Sequence, residues 1–261
     1  MNSLLTKELK ELFRTRRVVI LPAVFVGVGL MGPIFMRLLP FLLGDAGGSA
    51  AAAGITIDMP DPIPADGLQQ YFGMARQFGL LAIILTFMGI VSGERRDGSL
   101  AFLFVKPISR VKYLLLRWSV NGLYAMLAYL IGSLAAAAAT HLLLGPPDYS
   151  VYAGAVFLYG AYFLLVYSWT FLFSAAFKRP AIAAGFSLLP LFLLPVLGIL
   201  WQPLGEWGPY GAVAAGTLAI GGMTGPAAPI ELSAVVSALA NLGLAFLLIP
   251  SAFFLLKRTD L

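Results

Sequence analysis

The sequence predicts an all-α polytopic membrane protein with six transmembrane helices. Three observations predict it. Of 261 residues, 60% are hydrophobic and only 11% are charged, where a soluble domain carries about 25% charged residues. The apolar residues fall in blocks longer than the ~20 needed to cross a bilayer core. The charges are also sorted by side. With the N-terminus inside and six spans threaded, fifteen of the seventeen Lys and Arg fall on one side, and seven of the twelve acids fall on the other. That is the positive-inside pattern, with both termini cytoplasmic. It accounts for the net charge of +5 without nucleic acid as a partner. There is no cysteine, hence no disulfide and no thiolate chemistry.

The elements of this single transmembrane domain, residues 1–261, follow in order. In residues 1–17, Leu5, Leu9, Leu12 and Phe13 form one helical stripe and Lys7, Lys10, Glu11 and Arg14 take the rest. Such a helix lies in the interface with its cations near anionic membrane lipids. These residues carry no cleavable-signal pattern. The first span covers about residues 18–41, with Arg37 near its outer end, where a long cation can reach water. Residues 44–67 read as a polar outer loop with four Asp and no Lys or Arg. The second span covers about 68–91; Gln70, Tyr71, Gln77 and Thr86 are polar points that could face a pathway, and Arg76 is expected to snorkel, with contact to an anionic cargo headgroup as the alternative. The third span covers about 119–144, and Gly145-Pro146-Pro147-Asp148 is a tight turn. The fourth covers about 151–177 and ends in the basic turn Lys178-Arg179-Pro180. The fifth covers about 181–201 and holds Pro190 and Pro195, expected to kink it. Residues 202–230 are Gly-rich yet apolar in the middle, which suits a short helix dipping into the outer leaflet under cover of the protein. The sixth span covers about 232–256.

Residues 92–118 are the only long charged segment between apolar ones. Asp97 or Ser99 can cap a short helix, and Gly98 permits a tight bend. Leu100, Leu103 and Phe104 then form a stripe, Pro107 stops the helix, and Ser109 can cap the next one. A helix this short is marginal alone in water, so it is expected to dock onto another protein.

The pattern Glu94-x-x-x-Gly98-Ser99-Leu100-x-x-Leu103-Phe104-x-x-Pro107-Ile108-Ser109-Arg110 closely resembles the motif after the second span in ABC-2-type transporter permeases. The resemblance implies an exporter subunit in the prokaryotic plasma membrane, paired with a second copy of itself or a related permease and driven by two ATP-binding subunits. In that family this segment is the coupling helix, so Glu94, Asp97, Gly98, Ser99, Leu100, Phe102 and Arg110 become expected ATPase contacts, with Lys178 and Arg179 as a second, minor one. The N-terminal helix would lie beside the ATPase. Spans two and five would line the dimer interface and pathway, with Gln70, Tyr71, Gln77, Thr86, Pro190 and Pro195 as the weaker expected positions.

ATP and Mg belong to the partner on this reading. A phosphate-binding loop needs Gly-x-x-x-x-Gly-Lys-Ser/Thr, and the chain has no Gly-Lys dipeptide. An intramembrane enzyme is disfavoured: no catalytic motif or metal-ligand pattern is present, and the lone His141 sits near a span end. A stand-alone ion-coupled carrier or channel is disfavoured because the middle of every span lacks acids and bases.

Overall fold

The computed structural model describes residues 17–51, 61–96, 110–224 and 232–259. Every regular element among them is helical. In chain order they are α1 (Arg17–Ala51), α2 (Pro64–Met74), a π-helical turn (Ala75–Gly79), α3 (Leu80–Phe87), α4 (Ser92–Arg96), α5 (Arg110–Leu143), α6 (Tyr149–Ala176), α7 (Pro180–Leu200), α8 (Gln202–Trp207), α9 (Gly211–Gly221), a 3₁₀ turn (Gly222–Thr224) and α10 (Leu232–Thr259). Six stretches are long and apolar enough to cross a membrane: Val18–Leu42, Pro64–Arg96, Val111–Leu143, Tyr149–Ala176, Pro180–Leu200 and Leu232–Leu255. The interfacial helix expected before residue 17 and the short helix expected within 97–109 lie outside the described residues.

The spans start and stop where local chemistry directs. Pro64 and Pro180 open α2 and α7 at the first helical position, where the missing N–H costs nothing. Asp148 caps α6 by accepting from the amides of Ser150 and Val151. The Ser150 hydroxyl, together with those amides, holds its carboxyl below the usual carboxylate range. Gly145, at φ 107°, makes the left-handed bend that lets α5 turn into α6. Pro22, Pro33 and Pro40 all sit inside α1 without ending it, so α1 runs on to Ala51. The first part of the stretch read above as a loop is therefore helical.

α6 is the central helix. It packs against α3, α5, α7, α9 and α10, and most of its side chains are buried. Its rings join a contiguous aromatic core: Tyr159 stacks on Phe72 at 4.3 Å, and Phe163 meets Tyr129 edge-on at 4.8 Å. Lipid offers apolar side chains no reason to leave it, so close packing and polar contacts must hold such helices together. Both devices are present. α1 and α5 cross where Gly29 faces Gly132, and a Cβ on Gly132 would lie 2.6 Å from the Phe25 Cβ. Tyr71 and Ser133 share a buried hydrogen bond of 2.8 Å, Tyr152 donates to the Ser133 carbonyl at 2.6 Å, and Trp118 donates to Ser168 at 3.0 Å.

Candidate functional site

Two regions gather the polar chemistry. The first is the end of the bundle where α3 gives way to α4, α5 begins and α6 ends. Met88–Val91 form a turn there rather than helix. The freed amides of Val91 and Ser92 donate to Ser174 Oγ on α6 at 3.0 and 3.2 Å. Arg95 donates to the Ala175 carbonyl at 2.6 Å, satisfying an end group of α6. Glu94 faces α5, where its carboxylate meets Arg117 at 2.7 Å and accepts from the Tyr113 hydroxyl. Arg117 also donates to that hydroxyl at 2.8 Å, and its guanidinium lies 5.6 Å from the Tyr113 ring centre. Arg117 is only 2% exposed. A buried pair like this holds only because each charge has the other and further hydrogen bonds. Five residues of α4 are thus fastened to α5 and α6 immediately before residues 97–109.

The second region is the seam between the second span and α7. The π-helical turn Ala75–Gly79 interrupts the second span, with the Leu80 amide reaching back to the Ala75 carbonyl. Turns of this kind re-aim neighbouring side chains and recur at functional sites. Here it presents Arg76 to Tyr210, to whose hydroxyl Arg76 donates at 2.6 Å. This contact gives Arg76, expected to snorkel, a defined partner on the segment ahead of α9. Tyr210 precedes α9, which packs on α2, α6 and α10. Ser237 Oγ donates to the Gly208 carbonyl at 2.6 Å and accepts from the Ala212 amide at 2.8 Å, and Asn241 donates to the Pro209 carbonyl at 2.9 Å. Side chains of α10 thereby satisfy the irregular backbone ahead of α9, the condition under which such backbone is tolerated at membrane depth.

The sequence-derived positions separate into three groups. Glu94 lies in the anchored α4, and its carboxylate is turned to Arg117. Lys178 and Arg179 are exposed in the turn between α6 and α7, at the same end as α4, which packs on both helices. Arg110 opens α5, while Asp97, Gly98, Ser99, Leu100 and Phe102 lie outside the described residues. Among the pathway positions, Gln77, Thr86 and Pro195 border cavities along the seam. Tyr71 and Pro190 are buried within the bundle, and Gln70 is half-buried. Sequence reading had no signal for Arg117, Tyr113 or Ser174 as anchoring residues, because their partners lie 19 to 83 residues away. His141 shares a hydrogen bond with Tyr149 at 2.9 Å where α5 turns into α6, and no group of three potential metal ligands occurs among the described residues.

Among the described residues the bundle is all helix, with Lys178 and Arg179 exposed at the end where α4 leads toward residues 97–109. The chain belongs to the ABC-2 family of transporter proteins, whose family model matches residues 2–260. It is a non-catalytic integral membrane component, a permease subunit of an ABC transporter, and family membership implies an ATP-binding partner. A transmembrane protein of Bacillus subtilis, YxlG, described as uncharacterized, is 23% identical over 186 residues, 70% of each chain.

Proposed function

We propose that this chain is the membrane half of an exporter, working as a dimer of permeases with two separate ATP-binding subunits that carry ATP and Mg. The observation that carries the reading is the fastening of α4. Residues 97–109 form the coupling segment, and Gly98, Ser99, Leu100 and Phe102 meet the ATPase with Arg110 beside them. Asp97 belongs to the same contact, Lys178 and Arg179 form the minor one, and Glu94 supports the segment from behind through Arg117. The basic end faces the cytoplasm, in a prokaryotic plasma membrane. ATP binding draws the partner subunits together and pushes on the segment. Because α4 is tied to α5 by Glu94–Arg117 and to α6 by Ser174 and Arg95, the push reaches the spans as a rigid displacement rather than being absorbed by a slack loop. The second span and α7 part in response; Pro190 and Pro195, which have no N–H to give the helix, leave α7 easier to bend. α9 acts as a re-entrant outer gate. The scarcity of charge deep in the spans favours lipophilic or amphiphilic cargo.

Replacing Ser99 and Leu100 together with Asp tests this directly. Two carboxylates in an apolar docking surface are costly. The variant is expected to insert and purify as the parent does, but to lose association with its co-expressed ATPase and stimulation of ATP hydrolysis. Undiminished stimulation would remove the coupling role from this segment.

A further inference from the structure

The seam between the second span and α7 holds a cavity of about 450 Å³ whose polar corner is Arg76, Tyr162 and Tyr210 and whose walls include Leu81, Phe192 and Pro195. Arg76 lies within the span Pro64–Arg96 rather than at its end, and its guanidinium is half-buried. Its hydrogen-bond partner is the Tyr210 hydroxyl, and no carboxylate among the described residues pairs with it. A permanent cation at such a place is costly unless an anion joins it. Tyr162, fully buried beside the cavity, has a hydroxyl that makes no hydrogen bond among the described residues. Two polar groups therefore lack the partner that an anionic oxygen cluster would supply. Below Arg76 the wall is apolar and open. Phe78, Leu81 and Leu85, at helical spacing on one face, are 54%, 37% and 59% exposed. They lead to a second cavity of about 670 Å³ along the same helix, bordered by Leu85, Thr86 and Gly89. From Arg76 to Phe87 the span rises about 17 Å, room for a long acyl chain.

We propose that Arg76 holds the anionic headgroup, phosphate or carboxylate, of an amphiphile whose chain lies along the Phe78–Leu81–Leu85 face. The guanidinium fork matches either oxyanion in two-point geometry. The π-helical turn is what aims it into the seam. The proposal names a cargo class for the exporter and rests on that reading for its purpose, but binding itself requires no ATPase.

The test uses the full chain in phosphatidylcholine nanodiscs with radiolabelled oleoyl lysophosphatidic acid. Saturable binding is expected, uncompeted by monoolein, which has the chain without the charge, or by glycerol phosphate, which has the charge without the chain. Arg76→Gln should weaken it about tenfold or more, as loss of a charge-assisted contact does, while Arg76→Lys, which keeps the charge without the fork, should weaken it less. Leu81→Trp, which fills the cavity from a partly exposed position, should block binding even if Arg76→Gln does not fold. Unchanged affinity in both Arg76→Gln and Leu81→Trp overturns the proposal. So does equal competition by monoolein, which marks a plain acyl groove, or by glycerol phosphate, which marks a small-anion site. Lipid binding without ATPase association would leave this site standing and remove the export reading; association without lipid binding would do the reverse.

Discussion

Arg117→Met will lower stability by about 3 kcal/mol, the low end for breaking a buried ion pair, because the Glu94 side chain it leaves behind is 14% exposed. Arg117 is 2% exposed and Glu94 meets it at 2.7 Å, so water cannot replace the lost partner cheaply. Tyr113 is left donating to a carboxylate that has lost its contact with Arg117. The measurement is thermal unfolding of the detergent-solubilised protein followed by the fraction still monodisperse. A companion variant, Glu94→Leu with Arg117→Met, removes both charges and should recover much of the loss, since an apolar pair of similar volume is often as stable as a buried ion pair. That recovered protein should still couple poorly to ATP hydrolysis, because α4 is no longer fastened to α5. A single variant that melts like the parent would mean that the ion pair bears no load.

Gly132→Leu will separate α1 from α5. Even the first added carbon, Cβ, would lie 2.6 Å from the Cβ and carbonyl oxygen of Phe25, so backbone rather than a flexible side chain must move. Overpacking a rigid contact typically costs about 1–3 kcal/mol and can exceed that when backbone is displaced. Helices in lipid have little else to hold them together at such a crossing. The expected result is a sharp fall in folded yield. Gly27→Ala is the control on the same helix: no atom lies within 4 Å of its Cβ position. It should be neutral or slightly stabilising, as Ala is the better helix former. Equal yields from the two variants would show that the crossing does not depend on close approach.

These two positions also mark where sequence reading stops. Hydropathy and charge sorting place all six spans, and Pro64, Pro180, Gly145 and Asp148 signal their ends by local rules that need no partner. What they do not reveal is which apolar face meets protein and which meets lipid, because both surroundings select the same side chains. Gly132 looks like any membrane glycine until Phe25 is beside it. Tyr71 reads as a pathway residue, yet it is fully buried and bonded to Ser133. The π-helical turn at Ala75–Gly79 has no local signature in the sequence, and the partner that gives Arg76 its meaning is Tyr210, 134 residues away. Glu94 stands out in its motif, but the α5 residues that hold it lie across the charged segment, beyond any helical spacing.

The most direct measurement is a cross-link. The chain has no cysteine, so one cysteine placed at Ser99 is the sole thiol, and a second set carries it instead at Asp61. Each is co-expressed with the partner ATPase and treated in intact membranes with a short amine-and-thiol reagent. The expected result is an adduct of one permease with one ATPase from Ser99 and none from Asp61. Adducts from Asp61 with none from Ser99 would contradict both the orientation of the bundle and the route by which ATP drives it.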